Sequence, residues 1–230
     1  MKKIKTLKFG HRGAKAYVRE NTIDSILKAL EFGVDGIEID VHKCKSGELV
    51  VFHDFILERL TNGIGEISNF TLKELKSLAV SDHYKIPTLT QILDVIDRKC
   101  IINIELKGKN TAVQTVLIIE DYIKNQHYNY NHFIVSSFKR KELSIVFKLN
   151  KDIQLGLLIE SNLYKTITFA KNINAFAIHP EYKILTKENV LYIQAQGFKI
   201  YTWTVNTIED IKRIKSYNVN AIISDFPDRL

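Results

Sequence analysis

Two histidines, His11 and His53, flank a Glu-x-Asp pair, Glu38 and Asp40, within the first quarter of the chain. Each group closes an apolar run, in His11-Arg12-Gly13, Glu38-Ile39-Asp40 and His53-Asp54. Two imidazoles can supply an acid and a base near neutral pH, because the free ring titrates at about 6.5. Carboxylates at i and i+2 of a strand point to one face, where a hard divalent cation can take both. Glu105 and Lys107 repeat that spacing further along. The three carboxylates Glu38, Asp40 and Glu105 form a ligand set for Mg²⁺ or Ca²⁺; with no thiol among them, zinc is disfavoured. A proton shuttle, a divalent cation and the adjacent Arg12 together suit phosphoester chemistry.

These residues need a scaffold, and 230 residues suffice for one sizeable core but not comfortably for two. The whole chain is therefore read as a single domain, residues 1–230. Its net charge of +7 fits nucleic acid, an anionic surface or an anionic substrate. No recognition helix, RNA-binding sheet motif or basic block with interleaved aromatics is present, so nucleic acid is not expected as a partner. The longest apolar runs are strand-sized, which argues against a membrane anchor. Met1-Lys2-Lys3 opens like a signal peptide, but Lys5 and Lys8 interrupt what should be its apolar stretch. The expectation is a cytoplasmic protein with Cys44 and Cys100 as reduced, unpaired thiols.

Strand-like apolar runs fall at residues 6–10, 36–42, 101–106, 132–136, 153–159, 175–178, 199–203 and 220–224. Helix-period segments separate them, and Asn21 is the expected cap of the first helix. Eight β-then-α units predict an α/β fold of the (β/α)8 TIM-barrel type. A doubly wound sheet is the structural alternative, disfavoured because no Gly-rich phosphate loop follows the first strand. Residues 36–53 read as a hairpin around a two-residue turn, Ser46-Gly47, which would set Asp40 opposite His53. Residues 54–86 then form an insertion, with Thr71-x-x-Glu74 as a capping box. It is expected over the barrel mouth as a lid, with Phe55 toward the substrate and Phe70 either there or in the insertion's own small core.

The ordered motifs resemble those of the glycerophosphodiester phosphodiesterase family. They comprise His11-Arg12-Gly13, Glu20-Asn21-Thr22, Gly36-Ile37-Glu38-Ile39-Asp40, Val51-Phe52-His53-Asp54, Thr61-Asn62-Gly63, Pro87-Thr88-Leu89, Asn103-Ile104-Glu105-Leu106-Lys107, Ser136-Ser137-Phe138, Trp203-Thr204-Val205-Asn206 and Ser224-Asp225-Phe226-Pro227. The resemblance implies a metal-dependent barrel that cleaves glycerophosphodiesters to glycerol 3-phosphate and an alcohol. It implies acid/base catalysis by His11 and His53 and metal ligation by Glu38, Asp40 and Glu105. Arg12 and Lys107 would hold the phosphate, and Trp203 would line the glycerol side. The chain departs from the pattern at Arg19, where proline is common, at Leu60, where threonine is common, and at Gln91, where glutamate is common. The alternative enzyme is a lysophospholipase D or phosphoinositide-type phospholipase acting on a membrane lipid. A catalytically dead binding barrel is disfavoured by the intact histidines and carboxylates.

Overall fold

Strands with apolar residues on both faces need cover on both faces, and a closed barrel ringed by helices provides it. The computed structural model describes residues 4–81 and 83–230. In chain order the elements are β1 (Leu7–His11), α1 (Ile23–Glu31), β2 (Gly36–Lys43), β3 (Leu49–Val51), α2 (Leu72–Ser77), α3 (Leu89–Ile96), β4 (Ile101–Leu106), α4 (Ala112–Asn125) and β5 (Phe133–Ser137). They continue with α5 (Arg140–Leu149), β6 (Gln154–Ile159), α6 (Leu163–Asn172), β7 (Ala177–Pro180), α7 (Lys187–Ala195), β8 (Lys199–Thr202), α8 (Ile208–Ser216) and β9 (Ala221–Ser224). β1 pairs in parallel with both β2 and β9, so eight parallel strands close on themselves and the open doubly wound sheet is excluded. β3 lies outside the barrel, antiparallel to β2. Each of the eight predicted strands is present within two residues of its expected ends. Seven barrel strands lead into an α-helix, whereas β9 leads into a single 3-10 turn at Pro227–Arg229.

Strand alternation sorts the core into two shells. Ile37, Ile39, Val41, Ile102, Ile104 and Leu106 face outward and pack beneath the helices. Phe9, Ile134, Ala177, Tyr201, Ala221 and Ile223 fill the lower barrel interior. His179 lies there too, its ring stacked on Tyr201 at 5.2 Å, and burial pushes its pKa down to about 3. Both cysteines are buried and unpaired, and burial pushes the Cys100 thiol up to about 12. Among the described residues no helix is long and apolar enough to cross a membrane.

Three local expectations are corrected. The hairpin loop has three residues, Lys45-Ser46-Gly47, because the Cys44 N–H bonds to the Glu48 carbonyl at 3.0 Å and Gly47 takes φ +108°. The register slips by one, Val41 faces Val51, and the Phe52 N–H rather than His53 meets the Asp40 carbonyl. Thr22, not Asn21, caps α1, accepting from the Ser25 N–H at 3.2 Å. Asn21 instead sits at φ +58° with its side chain turned to the barrel.

The third correction concerns the insertion. Leu57, Leu60, Ile67, Leu75, Val80 and Ile86 form its own core against Val50 and Phe52 of the hairpin, and Phe70 packs on that core. Phe55 is half exposed, its ring edge against His42 at 5.1 Å. Neither aromatic lines the central cavity described below. The apolar stripe found its partner in the hairpin, so nothing drove it across the mouth. The predicted Thr71–Glu74 capping box is present, and Gln91 completes a second one with Thr88 on α3. That explains the tolerance of glutamine there, since either side chain can accept from the cap N–H.

Candidate active site

A cavity of about 180 Å³ opens at the carboxyl ends of the barrel strands, where barrels of this class place their chemistry. His11, Arg12, Glu38, His53, Glu105, Lys107 and Trp203 all line it. Asp40 lies just behind, buried, with Lys107 Nζ 3.9 Å from its Oδ1. The two histidines, the three carboxylates, Arg12, Lys107 and Trp203 are therefore gathered at one end of the barrel, although the hairpin register differs from the expected one and Phe55 and Phe70 lie elsewhere.

The carboxylates come together as the i, i+2 spacing requires. β2 sets Glu38 and Asp40 on the inner face, and Asp40 is the register partner of Glu105 on β4. Ligand oxygens of all three lie within 4.8 Å of one another. Two oxygens on opposite sides of a cation at about 2.4 Å would be about 4.8 Å apart, so the spacing suits one ion. Burial, with repulsion from Asp40 and Glu105, pushes Glu38 well above the usual carboxylate range. Burial and Asp40 likewise push Glu105 up to about 7. Asp40 goes the other way: Arg12, His53 and Lys107 outweigh its burial and hold it low. Three buried acids, two of them resisting ionisation, make a site short of positive charge. An all-oxygen donor set of this kind fits a hard divalent cation.

Each histidine is backed by an aspartate. His11 Nδ1 lies 2.6 Å from Asp225 Oδ1, and His53 Nδ1 lies 2.6 Å from Asp54 Oδ1. Burial would raise both aspartates, but the His11 hydrogen bond holds Asp225 at about 2, and those from Arg59 and His53 hold Asp54 at about 2. Both are thus ionised, so each Nδ1 carries the donated proton. Burial pushes both rings below the ordinary imidazole value, against the pull of their aspartates. His42, buried behind, steadies the second ring's backbone, its Nε2 3.1 Å from the His53 carbonyl.

Arg12 sits at φ +53° ahead of Gly13 at φ +86°, where a Cβ would fall 2.4 Å from Ser25 Oγ. That turn aims the guanidinium inward, with Nη1 2.7 Å from Glu20 and Nε 3.2 Å from Asp40. Lys107 Nζ is 3.1 Å from Glu105. Trp203 stands edge-to-face with Phe138 at 5.6 Å, its indole N–H donating to the His179 carbonyl at 2.8 Å.

Several supporting residues were not assigned these parts from sequence. Asn21, read as a cap, donates to Asp40 Oδ2 at 3.0 Å. Glu20 joins Arg12 to Arg59, and Arg59 also grips Asp54 through Nε at 2.5 Å and Nη2 at 2.9 Å. Asn206 holds Asp225 from behind at 2.8 Å. The His53-Asp54 and Glu20-Asn21 dipeptides were the available signals; nothing local marks Arg59.

Profile comparison matches residues 11–229 to the glycerophosphoryl diester phosphodiesterase family. A glycerophosphodiester phosphodiesterase of Caldanaerobacter subterraneus subsp. tengcongensis is 37% identical, covering 99% of this chain and 97% of its own. The chain belongs to the glycerophosphodiester phosphodiesterase family. One from Bacillus altitudinis is 35% identical, covering 96% and 95%. Among solved structures, an Oleispira antarctica phosphodiesterase in complex with the product sn-glycerol-3-phosphate superposes with a TM-score of 0.88. It shares 27% identity and covers 96% of this chain and 93% of its own. Membership gives the protein its activity, hydrolysis of glycerophosphodiesters to glycerol 3-phosphate and an alcohol.

Proposed function

We propose that this hydrolysis runs by two-histidine general acid/base catalysis, with Glu38, Asp40 and Glu105 holding one Mg²⁺ or Ca²⁺ ion. The observation that supports it most is the pair of Asp–His couples opening on the same cavity as the buried carboxylates. One ring enters neutral and its Nε2 accepts the proton of the attacking hydroxyl, while the other enters as imidazolium and delivers its Nε2 proton to the departing alcohol oxygen. The rings thereby exchange charge states, and exchange of one proton with solvent at each ring resets them. Asp225 and Asp54 fix the tautomers and stabilise each ring while it is charged. Arg12 and Lys107 offset charge on the phosphoryl oxygens, and Trp203 walls the glycerol side. A cation held by Glu38, Asp40 and Glu105 would supply further positive charge to the phosphoryl group. The whole chain works as one catalytic unit, in which the insertion braces the site through Arg59 rather than covering it.

The bond cleaved is the direct test. With glycerophosphocholine as substrate, the products are glycerol 3-phosphate and choline, read by a glycerol-3-phosphate dehydrogenase coupled assay. Release of phosphocholine and glycerol would contradict the assignment. Membrane lipid as substrate is separated by assaying lysophosphatidylcholine alongside.

Arg59 is a positioning residue in this scheme, tying the Asp54 that backs His53 to the Glu20 that backs Arg12. Arg59→Ala is expected to lower kcat by about 10- to 100-fold, the usual range for losing an orienting partner. Guanidinium in the assay restores part of that loss, whereas Arg59→Lys does not, because an ammonium cannot fork between two carboxylates. A loss of thermal stability without chemical rescue would make Arg59 merely structural.

A further inference from the structure

Lys15 stands outside the central cavity, yet its ammonium faces two of the carboxylates that support the site. Its Nζ lies 3.8 Å from Asp225 Oδ1 and 4.0 Å from Glu20 Oε2. Asp225 Oδ1 is the same oxygen that pairs with His11 Nδ1, and Glu20 is the partner of Arg12. The backbone brings the side chain there. The Ala16 N–H donates to the Asp225 carbonyl at 3.1 Å, and the Tyr17 hydroxyl donates to Asp228 at 2.7 Å. The segment after Gly13 is thus fastened to the loop that follows β9, with Lys15 at the seam.

This contact completes an arc of alternating charge from one histidine to the other. It runs from His53 through Asp54, Arg59, Glu20, Lys15 and Asp225 to His11. The two halves are held differently. Arg59 grips Asp54 with two hydrogen bonds and Glu20 with two more. Lys15 stays beyond hydrogen-bond distance of both its carboxylates, so what it supplies is charge and not a fixed fork. Glu20 and Asp225 are only 4% and 17% exposed, where a neighbouring cation is screened less than on an open surface. Among the described residues Lys15 is also the only lysine or arginine paired with Asp225. With Asn206 on Oδ2 and Lys15 on Oδ1, the carboxylate is restrained at both oxygens. We infer that Lys15 is a positioning residue for His11, its charge steadying the Asp225 carboxylate against Nδ1 as Arg59 steadies Asp54 against His53. This rests on the acid/base reading above and extends it to what orients the first ring.

Steady-state kinetics of the cation-loaded enzyme on glycerophosphocholine test the assignment. Lys15→Met, similar in length but uncharged, is expected to lower kcat about 10-fold with KM nearly unchanged, the lower end of the range for losing an orienting partner. Lys15→Arg recovers most of that activity, in contrast to Arg59→Lys, because charge alone is needed here. Melting temperature holds in Lys15→Met, since the side chain is 31% exposed and its ion pairs are loose. A double-mutant cycle separates positioning from a general structural effect. In an Asp225→Asn background Lys15→Met costs less than about twofold more, because the charge it acts on is gone; in an Asp54→Asn background it costs the full factor. Unchanged kcat in Lys15→Met, or equal losses in the two backgrounds, would overturn the role. A raised KM with kcat intact would also overturn it, by placing Lys15 on the substrate. Wild-type turnover in Asp225→Asn alone would instead remove the acid/base reading of His11, and this role with it.

Discussion

Alanine at His11 or at His53 is expected to lower kcat by about 10²- to 10⁴-fold, the span seen when a positioned acid or base is lost. Both rings line the open cavity, with side chains 12% and 25% exposed, so truncation leaves no sealed void and melting temperature should hold. The two variants should differ in how they respond to the leaving group. A substrate with a good leaving group, such as a nitrophenyl ester, needs no proton on departure. It should largely rescue the variant that lost the acid and leave the other slow. Neighbouring substitutions give a graded control, because Asp225→Asn and Asp54→Asn keep a polar group beside Nδ1 yet no longer compel it to carry the proton. Near-wild-type turnover in a folded His11→Ala or His53→Ala protein would take that residue out of the mechanism.

What made the barrel legible was local. Runs such as Ile101-Ile102-Asn103-Ile104 and Ala221-Ile222-Ile223 carry the apolar signature of strands covered on both faces, and the strand alternation placed Glu38, Asp40 and Glu105 on one inner surface. Capping at Thr71 was likewise readable within four residues. The support of the site was not local. Asp225 reaches His11 across 214 positions and Arg59 reaches Glu20 across 39, separations that barrel closure and the insertion alone determine. The hairpin shows how small the missing quantity can be. One extra residue in the loop, allowed by the positive φ of Gly47, shifted the register and replaced His53 by Phe52 opposite Asp40. His53 nevertheless lines the cavity, because it stands just past the end of β3, where the chain is no longer held in that pairing. Asn21 was misread for a related reason: its sequence context is that of a helix cap, and only the fold reveals Asp40 beside it.

Exhaustive chelation is expected to abolish activity, and Mg²⁺ or Ca²⁺ to restore it, because every proposed ligand is a hard oxygen. Glu38→Gln, Asp40→Asn and Glu105→Gln should each raise the cation concentration needed for half-maximal rate. The titration of the carboxylates adds a second readout that does not depend on turnover. In the cation-free protein Glu105 keeps its proton up to about pH 7, and Glu38 is also pushed far above its ordinary value of 4.5. Between those limits the folded state holds protons that the unfolded chain has released, so their contribution lowers stability as pH rises. A divalent cation displaces those protons and cancels that loss. The rise in melting temperature on adding Ca²⁺ or Mg²⁺ should therefore be larger at pH 8 than at pH 5, and Glu105→Gln should shrink the difference between the two. Asp40, held low by Arg12, His53 and Lys107 against its burial, is already ionised at both pH values and does not contribute to that difference. Full activity after chelation, with no metal detected by elemental analysis, would overturn the cation site; equal thermal shifts at both pH values would show that the cation does not bind at Glu38 and Glu105.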